Sequence, residues 1–317
     1  MARRNPSTAA PAAEAAAPTG RLIGPLKWVA ARVPLHLTLI GLMVLWSIPT
    51  IALLVSSFRE PTAIASSGWW NAIKDPFNFT IDNYETVLTQ RRMARSFLNS
   101  VIITVPSTFL VILVAALAAY AFAWMKFPGR TVLFLIVVAL LVVPLQMTLI
   151  PVLRLYADHL TVETELPILG GNLFGVSSYP GIWVAHTAYG LPFAVFLLRN
   201  FFGALPRDLF ESAYLDGASD VGVFFRIVLP LSMPAIAALT IFQFLWVWQD
   251  LLVALVLLGD PDLAPMMLTI TNLVSSFGSQ YQLLTAAAFI SMMLPLVIFF
   301  ALQRYFIQGI LAGAVKG

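Results

Sequence analysis

Apolar residues run along this chain in stretches of membrane length, separated by short polar connections. A hydrocarbon core about 30 Å thick needs about 20 apolar helical residues at roughly 1.5 Å each. Six segments meet that length, at roughly 35–56, 97–123, 131–153, 180–200, 231–258 and 284–306. Their centres hold almost no Asp, Glu, Lys or Arg, and Asp250 is the clear exception. Pro49, Pro106, Pro144, Pro192, Pro234 and Pro295 lie in or near these spans. In a bundle, neighbouring helices re-satisfy the freed carbonyls, so these prolines predict kinks. The pattern predicts an all-α polytopic membrane protein with six transmembrane helices.

Composition agrees. Of 317 residues, 60% are hydrophobic and 10% charged, against about 45–50% and about 25% in soluble domains. The mean hydropathy is +0.88. So few charges cannot cover a water-soluble surface, which excludes a cytosolic globular enzyme. Cysteine is absent, and with it disulfides, thiolate metal sites and cysteine nucleophiles. His36, His159 and His186 stand too far apart in sequence to suggest a metal cluster. A net charge of +3 and a pI near 9.3 do not argue for nucleic acid. Residues 1–20 are mostly Ala and Pro, which cannot form a core. Residues 1–30 are therefore expected to be a disordered cytoplasmic tail, and 31–317 a six-helix transmembrane domain. The tail is not a secretory signal, because the first apolar run begins near residue 35 and is of full membrane length.

Orientation follows from Lys and Arg. With a cytoplasmic N-terminus, the inner segments hold 12 of the 18 cations and the outer ones 6. Five of those six (Arg59, Lys74, Arg91, Arg92 and Arg95) fall in the first outer loop, about 57–96. Trp69, Trp70, Phe77, Phe79 and Tyr84 of that loop are explained as interfacial aromatics without any ligand.

One inner connection, about 200–230, differs from the rest. It contains Glu211-Ser212-Ala213-Tyr214-Leu215-Asp216-Gly217-Ala218, then Ile227, Leu229 and Pro230. Pro206-Arg207-Asp208 suits a helix start, and Gly217 can take φ > 0 and turn the chain. A second short helix is expected over about 218–228. The alternative is an amphipathic helix lying on the headgroups. The acids Asp208, Glu211, Asp216 and Asp220 would then face an anionic leaflet, which speaks against it. A helix-turn-helix that fits a partner's groove explains acids, small residues and glycine together.

The spacing Glu-x-Ala-x3-Gly-x9-Ile-x-Leu-Pro resembles the EAA loop of binding-protein-dependent ABC importer permeases. Glu211, Ala213, Gly217, Ile227, Leu229 and Pro230 match it, and Ser212 stands where alanine is usual. Asn83-Tyr84, Phe97-Leu98-Asn99-Ser100, Phe127-Pro128-Gly129-Arg130 and the terminal Gly313-Ala314-Val315-Lys316-Gly317 are similar to the carbohydrate branch, in particular its maltose-type, MalG-like members. Trp248 to Leu255 looks closest to alpha-glucoside permeases.

The resemblance implies a type I importer (MetI-like) permease fold in a bacterial or archaeal plasma membrane, with both termini cytoplasmic. It implies a second homologous permease, two ATPase subunits that bind ATP and Mg, and an extracytoplasmic sugar-binding protein. It places ATPase coupling on Glu211, Ser212, Ala213, Asp216, Gly217, Ala218, Ile227, Leu229 and Pro230. It places an ATPase-contacting tail on Gly313, Ala314, Val315, Lys316 and Gly317, and a binding-protein loop on Ser276, Phe277, Gly278, Gln280 and Tyr281. The last segment is also polar, flexible at Gly278, and able to bond hydroxyls and stack on a ring. This chain has no Gly-x4-Gly-Lys-Ser/Thr motif, so ATP and any cofactor belong to the partners.

A solute path needs intramembrane polar groups, which are unfavourable against lipid. The candidates are Gln146, Gln243, Trp246, Gln249 and Asp250, while His186 reads as a satisfied bundle histidine. The rival readings are a non-sugar ABC permease, which the EAA loop alone leaves open, and an ion-coupled secondary transporter. The second would need midplane ionisable residues and an inverted repeat. An intramembrane enzyme lacks its Gly-x-Ser-x-Gly or paired aspartates.

Overall fold

The computed structural model describes residues 25–74, 79–160, 162–163, 172–276 and 280–314. The chain divides into two compact units, Met1–Ile51 and Ala52–Gly317. The first contains most of α1 (Pro25–Ser57), which keeps Pro34 and Pro49 inside one continuous helix and begins earlier than residue 35.

In the second unit, α1 ends against the chain that follows it. The short helices α2 (Pro61–Ser66) and α3 (Asp82–Thr89) flank a 3-10 turn, Trp69–Ile73. Then come α4 (Met93–Trp124), α5 (Arg130–Leu140) and α6 (Leu145–Leu155), which continues as a π-helical turn to Leu160. The antiparallel strands β1 (Val162–Glu163) and β2 (Asn172–Phe174) precede α7 (Tyr179–Gly203). The inner connection forms α8 (Arg207–Leu215), α9 (Asp220–Val223) and, after a π-helical turn, α10 (Leu229–Leu231). The chain continues through α11 (Met233–Trp248), α12 (Leu252–Leu257), α13 (Met266–Ser276) and α14 (Tyr281–Ala314).

Among the described residues, four helices are long and apolar enough to cross a membrane, and two bent pairs, each taken as one span, bring the number to six. The expected spans are therefore present, but two are broken. The third bends by 103° between α5 and α6. Pro144 has φ −63 and ψ 130 at the N-cap of α6. A proline has no N–H to give, and it disfavours helix in the residue before it. The fifth begins at a 75° bend between Asp220–Leu231 and Met233–Trp248. The helix then stops at Trp248, and Asp250 lies between α11 and α12 rather than inside a span. Pro144 and Pro234 thus start helices, whereas Pro106, Pro192 and Pro295 lie within continuous ones.

The main packed pair is α4 with α7. Val111, Ala115 and Ala119 recur every fourth residue along α4 and meet Ala194, Leu198 and Phe202 of α7. Lipid is as apolar as these side chains, so small residues that let backbones approach supply the attraction through van der Waals contact. α11 crosses both helices, and α14 packs along α11 through Ala286, Ala287 and Ile290.

The outer loop is tied together by hydrogen bonds. Arg59, one of its five cations, is 5% exposed. Its guanidinium donates to Ser67 O at 3.2 Å and Ala63 O at 2.8 Å. Tyr84 packs on Phe58 and hydrogen-bonds Ser57, so it is part of this cap rather than a free interfacial anchor. Trp70 and Phe79 are exposed, and Phe77 lies outside the described residues.

Candidate functional site

Two regions carry the chemistry. The first is the α8–α10 segment. Its N-cap is Pro206, and Ser212 Oγ donates back to Asp208 O at 2.7 Å. The helix closes at Gly217, which has φ +80. Ala218 N donates to Ala213 O at 2.9 Å and Gly217 N to Tyr214 O at 3.0 Å. This pair of bonds is a Schellman closure, which requires a left-handed residue at the glycine position. Ser219 then caps α9 by accepting from Gly222 N.

The nine residues expected to couple divide by face. Ala213, Ala218, Ile227 and Leu229 pack half-buried on the α4–α7 core. Glu211, Ser212, Asp216, Gly217 and Pro230 are exposed. Three apolar side chains share the outer surface: Leu215 at 88% exposed, Val221 at 66% and Phe225 at 53%. Apolar groups interleaved with acids suit a protein partner better than anionic lipid.

The sequence did not reveal what fastens this segment. Phe210 is buried and stacks on Trp124 of α4, with centroids 3.5 Å apart. Trp124 Nε1 donates to Phe202 O of α7 at 3.0 Å. Tyr120 donates to Asp220 O at 3.2 Å, and Tyr214 to Asp220 Oδ1 at 2.7 Å. Partial burial, then hydrogen bonds with Tyr120 and Asp220, hold the Tyr214 phenol above its ordinary value, so it remains a donor. The helical spacing from Phe210 to Ala213 was the available signal for an inward face.

The second region is a cavity of about 380 Å³ beside the bend between α5 and α6. Of the candidate path residues it gathers Gln243, Trp246 and Asp250, and it adds His186, Tyr189 and Thr148. His186 Nε2 lies 3.9 Å from Asp250 Oδ2. That oxygen also accepts from Val253 N and Ala254 N, capping α12. Gln249 is exposed and lines a neighbouring groove with Trp246 and Asp250. Gln146 is exposed and lines neither space.

The remaining candidates are only partly described. Phe277 and Gly278 lie outside the described residues, as do Val315, Lys316 and Gly317. Ser276 ends α13, while Gly313 and Ala314 end α14. Gln280 accepts from Arg91 at 3.4 Å, Tyr281 is exposed, and Gln282 is buried. Among the described residues, no group of His, Asp and Glu is arranged to hold a metal ion.

The outer segments that resembled the carbohydrate branch act here as staples. Asn83 Nδ2 donates to Ser57 O and Arg59 O, both at 2.9 Å. Asn99 Nδ2 donates to Asp262 O at 2.9 Å and Ala264 O at 3.0 Å, and its Oδ1 accepts from Tyr179 at 2.8 Å. Ser100 Oγ accepts from Met266 N at 2.8 Å.

Comparison with known proteins agrees with this architecture. Residues 111–311 match the family model described as binding-protein-dependent transport system inner membrane component. The osmoprotective compounds uptake permease protein GgtD of Synechocystis sp. is 51% identical, over 90% of this chain and 92% of its own. The alpha-glucoside transport system permease protein AglG of Rhizobium meliloti is 40% identical, over 92% of this chain and 98% of its own. A chain in the crystal structure of a bacterial ABC transporter that imports the acidic polysaccharide alginate superposes with a TM-score of 0.69. It shares 20% identity, over 88% of this chain and 98% of that one, and so shows the fold alone. The chain therefore belongs to the family of binding-protein-dependent transport system inner membrane components, the permeases of ABC importers.

Proposed function

We propose that this chain is one of two homologous permeases in an ATP-driven importer of an uncharged glucoside. Two partner ATPase subunits bind ATP and Mg and perform the only bond chemistry. An extracytoplasmic binding protein delivers the sugar. The chain sits in the plasma membrane with both termini in the cytoplasm, in line with the excess of Lys and Arg on that side.

The observation that carries the mechanism is the two-faced α8–α10 segment. Its inner face is locked to α4 and α7, and its outer face presents Glu211, Asp216 and Leu215. A partner that holds the outer face must move α4 and α7 with it. ATP shifts the permease between states only through contacts that differ between them, and this face is where such contacts form. The tail at Gly313 to Gly317 reaches the same ATPases. The segment from Ser276 to Tyr281 meets the binding protein.

The cargo follows from two supports. One relative is named for alpha-glucosides and another for osmoprotective compounds, and a neutral glucoside meets both descriptions. The cavity beside α6 offers amide and hydroxyl groups with an indole, which suits hydroxyls on a ring.

The test is uptake by proteoliposomes that hold both permeases and both ATPases, supplied with the binding protein. Maltose, trehalose and sucrose are the probes. Uptake should require ATP, the ATPases and the binding protein together. Uptake driven by an ion gradient without ATP would establish the secondary-transporter reading instead.

A further inference from the structure

Gln243 is 3% exposed, and its Oε1 has no hydrogen-bond partner among the described residues. An unpaired buried acceptor is destabilising, and lipid-depth positions do not supply water readily. The amide lies close against a glycine of α7. A Cβ at Gly190 of α7 would lie 2.7 Å from Gln243 Nε2 and 2.8 Å from Oε1, so a larger residue there would make this flexible amide shift. Both residues line the cavity beside α6.

The other cavity groups converge on the same space. His186 is nearly buried and 3.9 Å from Asp250, whose carboxylate is already engaged by the first amides of α12. Tyr189 accepts from Thr148 at 3.1 Å. Trp246 is 60% exposed at the mouth. The volume falls in the range of about 300–1,000 Å³ usual for small-molecule sites. The cavity is mostly apolar with a few placed polar groups, which is the pattern of a site for a neutral ligand. A cationic solute would find Asp250 partly satisfied by backbone N–H groups, and an anionic one would meet its carboxylate.

We propose that this cavity is a binding site for one ring of the transported glucoside within this chain's own helices, with Gln243 bonding a ring hydroxyl and Trp246 covering a ring face. Oε1 accepts a hydrogen bond from the hydroxyl and so gains the partner it lacks. Gly190 is a positioning residue that acts through Gln243. The inference rests on the sugar-importer reading above and adds where the sugar is held.

The experiment uses the full complex in proteoliposomes with its binding protein in excess. The probe is whichever of maltose, trehalose and sucrose the wild-type complex takes up, together with its monodeoxy analogues. The binding protein is common to all variants, so its own preferences cancel in the comparison. In the wild type, removal of one particular hydroxyl should slow uptake about tenfold, the effect of one lost hydrogen bond. Gln243→Leu should slow the parent sugar about tenfold and be indifferent to that same hydroxyl. Gly190→Ala, which displaces the amide without deleting it, should show the same indifference. The melting temperature of the Gln243→Leu complex should equal or exceed that of the wild type, because an unpaired buried group is gone.

If Gln243→Leu leaves uptake unchanged, or slows the sugar and every analogue alike, the site is wrong while the importer reading stands. If the wild-type complex takes up none of the three sugars, the cargo reading falls and this site falls with it.

Discussion

The two ends of α4 are fastened by different balances of force. At the Met93 end, beside the apolar packing of Met93 and Phe97, polar fastenings reach far along the chain. Asn99 bonds two carbonyls and a tyrosine, Ser100 caps the first turn of α13, and Arg92 and Arg95 meet Asp262 at 2.7 and 3.1 Å. At the Trp124 end the fastening is mainly aromatic and aliphatic. Trp124 stacks on Phe210, Tyr120 packs on Phe224, and Val223 and Val228 are fully buried. Hydrogen bonds fix direction, because an unmade bond leaves a buried group unsatisfied. Packed apolar surfaces transmit displacement, because a close-packed core has few voids to absorb it. The first end therefore reads as a fixed frame, and the second as the place where movement enters.

Phe210→Ala should have the largest effect. Removing a buried phenylalanine destabilises its surroundings by about 3–5 kcal/mol. The α8–α10 segment should loosen, become sensitive to protease in membranes, and lose ATP-driven uptake. A protease-resistant segment with normal uptake would show that the stack does not hold the lever.

Asn99→Leu should come next. It leaves the Asp262 and Ala264 carbonyls and the Tyr179 hydroxyl without this partner, at about 1–3 kcal/mol for a group left unsatisfied. The melting temperature of the purified complex should fall, while the complex that remains folded turns over near the wild-type rate. A loss of turnover without a loss of stability would erase the distinction between frame and lever.

Arg95→Ala should have the smallest effect. Its side chain is 51% exposed and that of Asp262 44%, so solvent screens the pair. A contribution of about 0.2–1 kcal/mol is expected, and Arg92 still reaches Asp262. Thermal unfolding at low and high salt measures it. A large loss in both would mean that this charge cluster is part of the frame's core.

Much of this was legible from the residues. Runs of apolar residues located the six crossings, since a membrane needs length more than pattern. The turn at Gly217 was legible because a positive φ nearly demands glycine. Pro144 marked the break before α6 only as a kink, because Val142 and Val143 continue the apolar run up to it. The break at Gln249 to Leu251 was hidden in the same way by the apolar residues on both sides. The burial of Arg59 was not legible, because arginine is seldom buried unless paired, and its partners are carbonyls and a hydroxyl that no sequence pattern marks. Asn99 finds its acceptors more than 160 residues away, beyond the reach of local periodicity. The cavity joins residues of α6, α7 and α11, so Gln243 and Asp250 could be named beforehand but not brought together with His186 and Gly190.

The central claim is that the shape of the turn at Gly217 carries movement from the ATPases to α4 and α7. A Cβ at Gly217 would touch nothing within 4 Å, so a substitution there changes backbone preference without creating a clash. An ordinary side chain in this left-handed conformation is disfavoured by about 1–2 kcal/mol, asparagine by less, and a β-branched residue by more. The direct measurement is ATP-driven sugar uptake by Gly217→Asn and Gly217→Val complexes, normalised to the amount of assembled complex. The account predicts wild type above asparagine and asparagine well above valine, at equal assembly. Equal uptake by all three would contradict it.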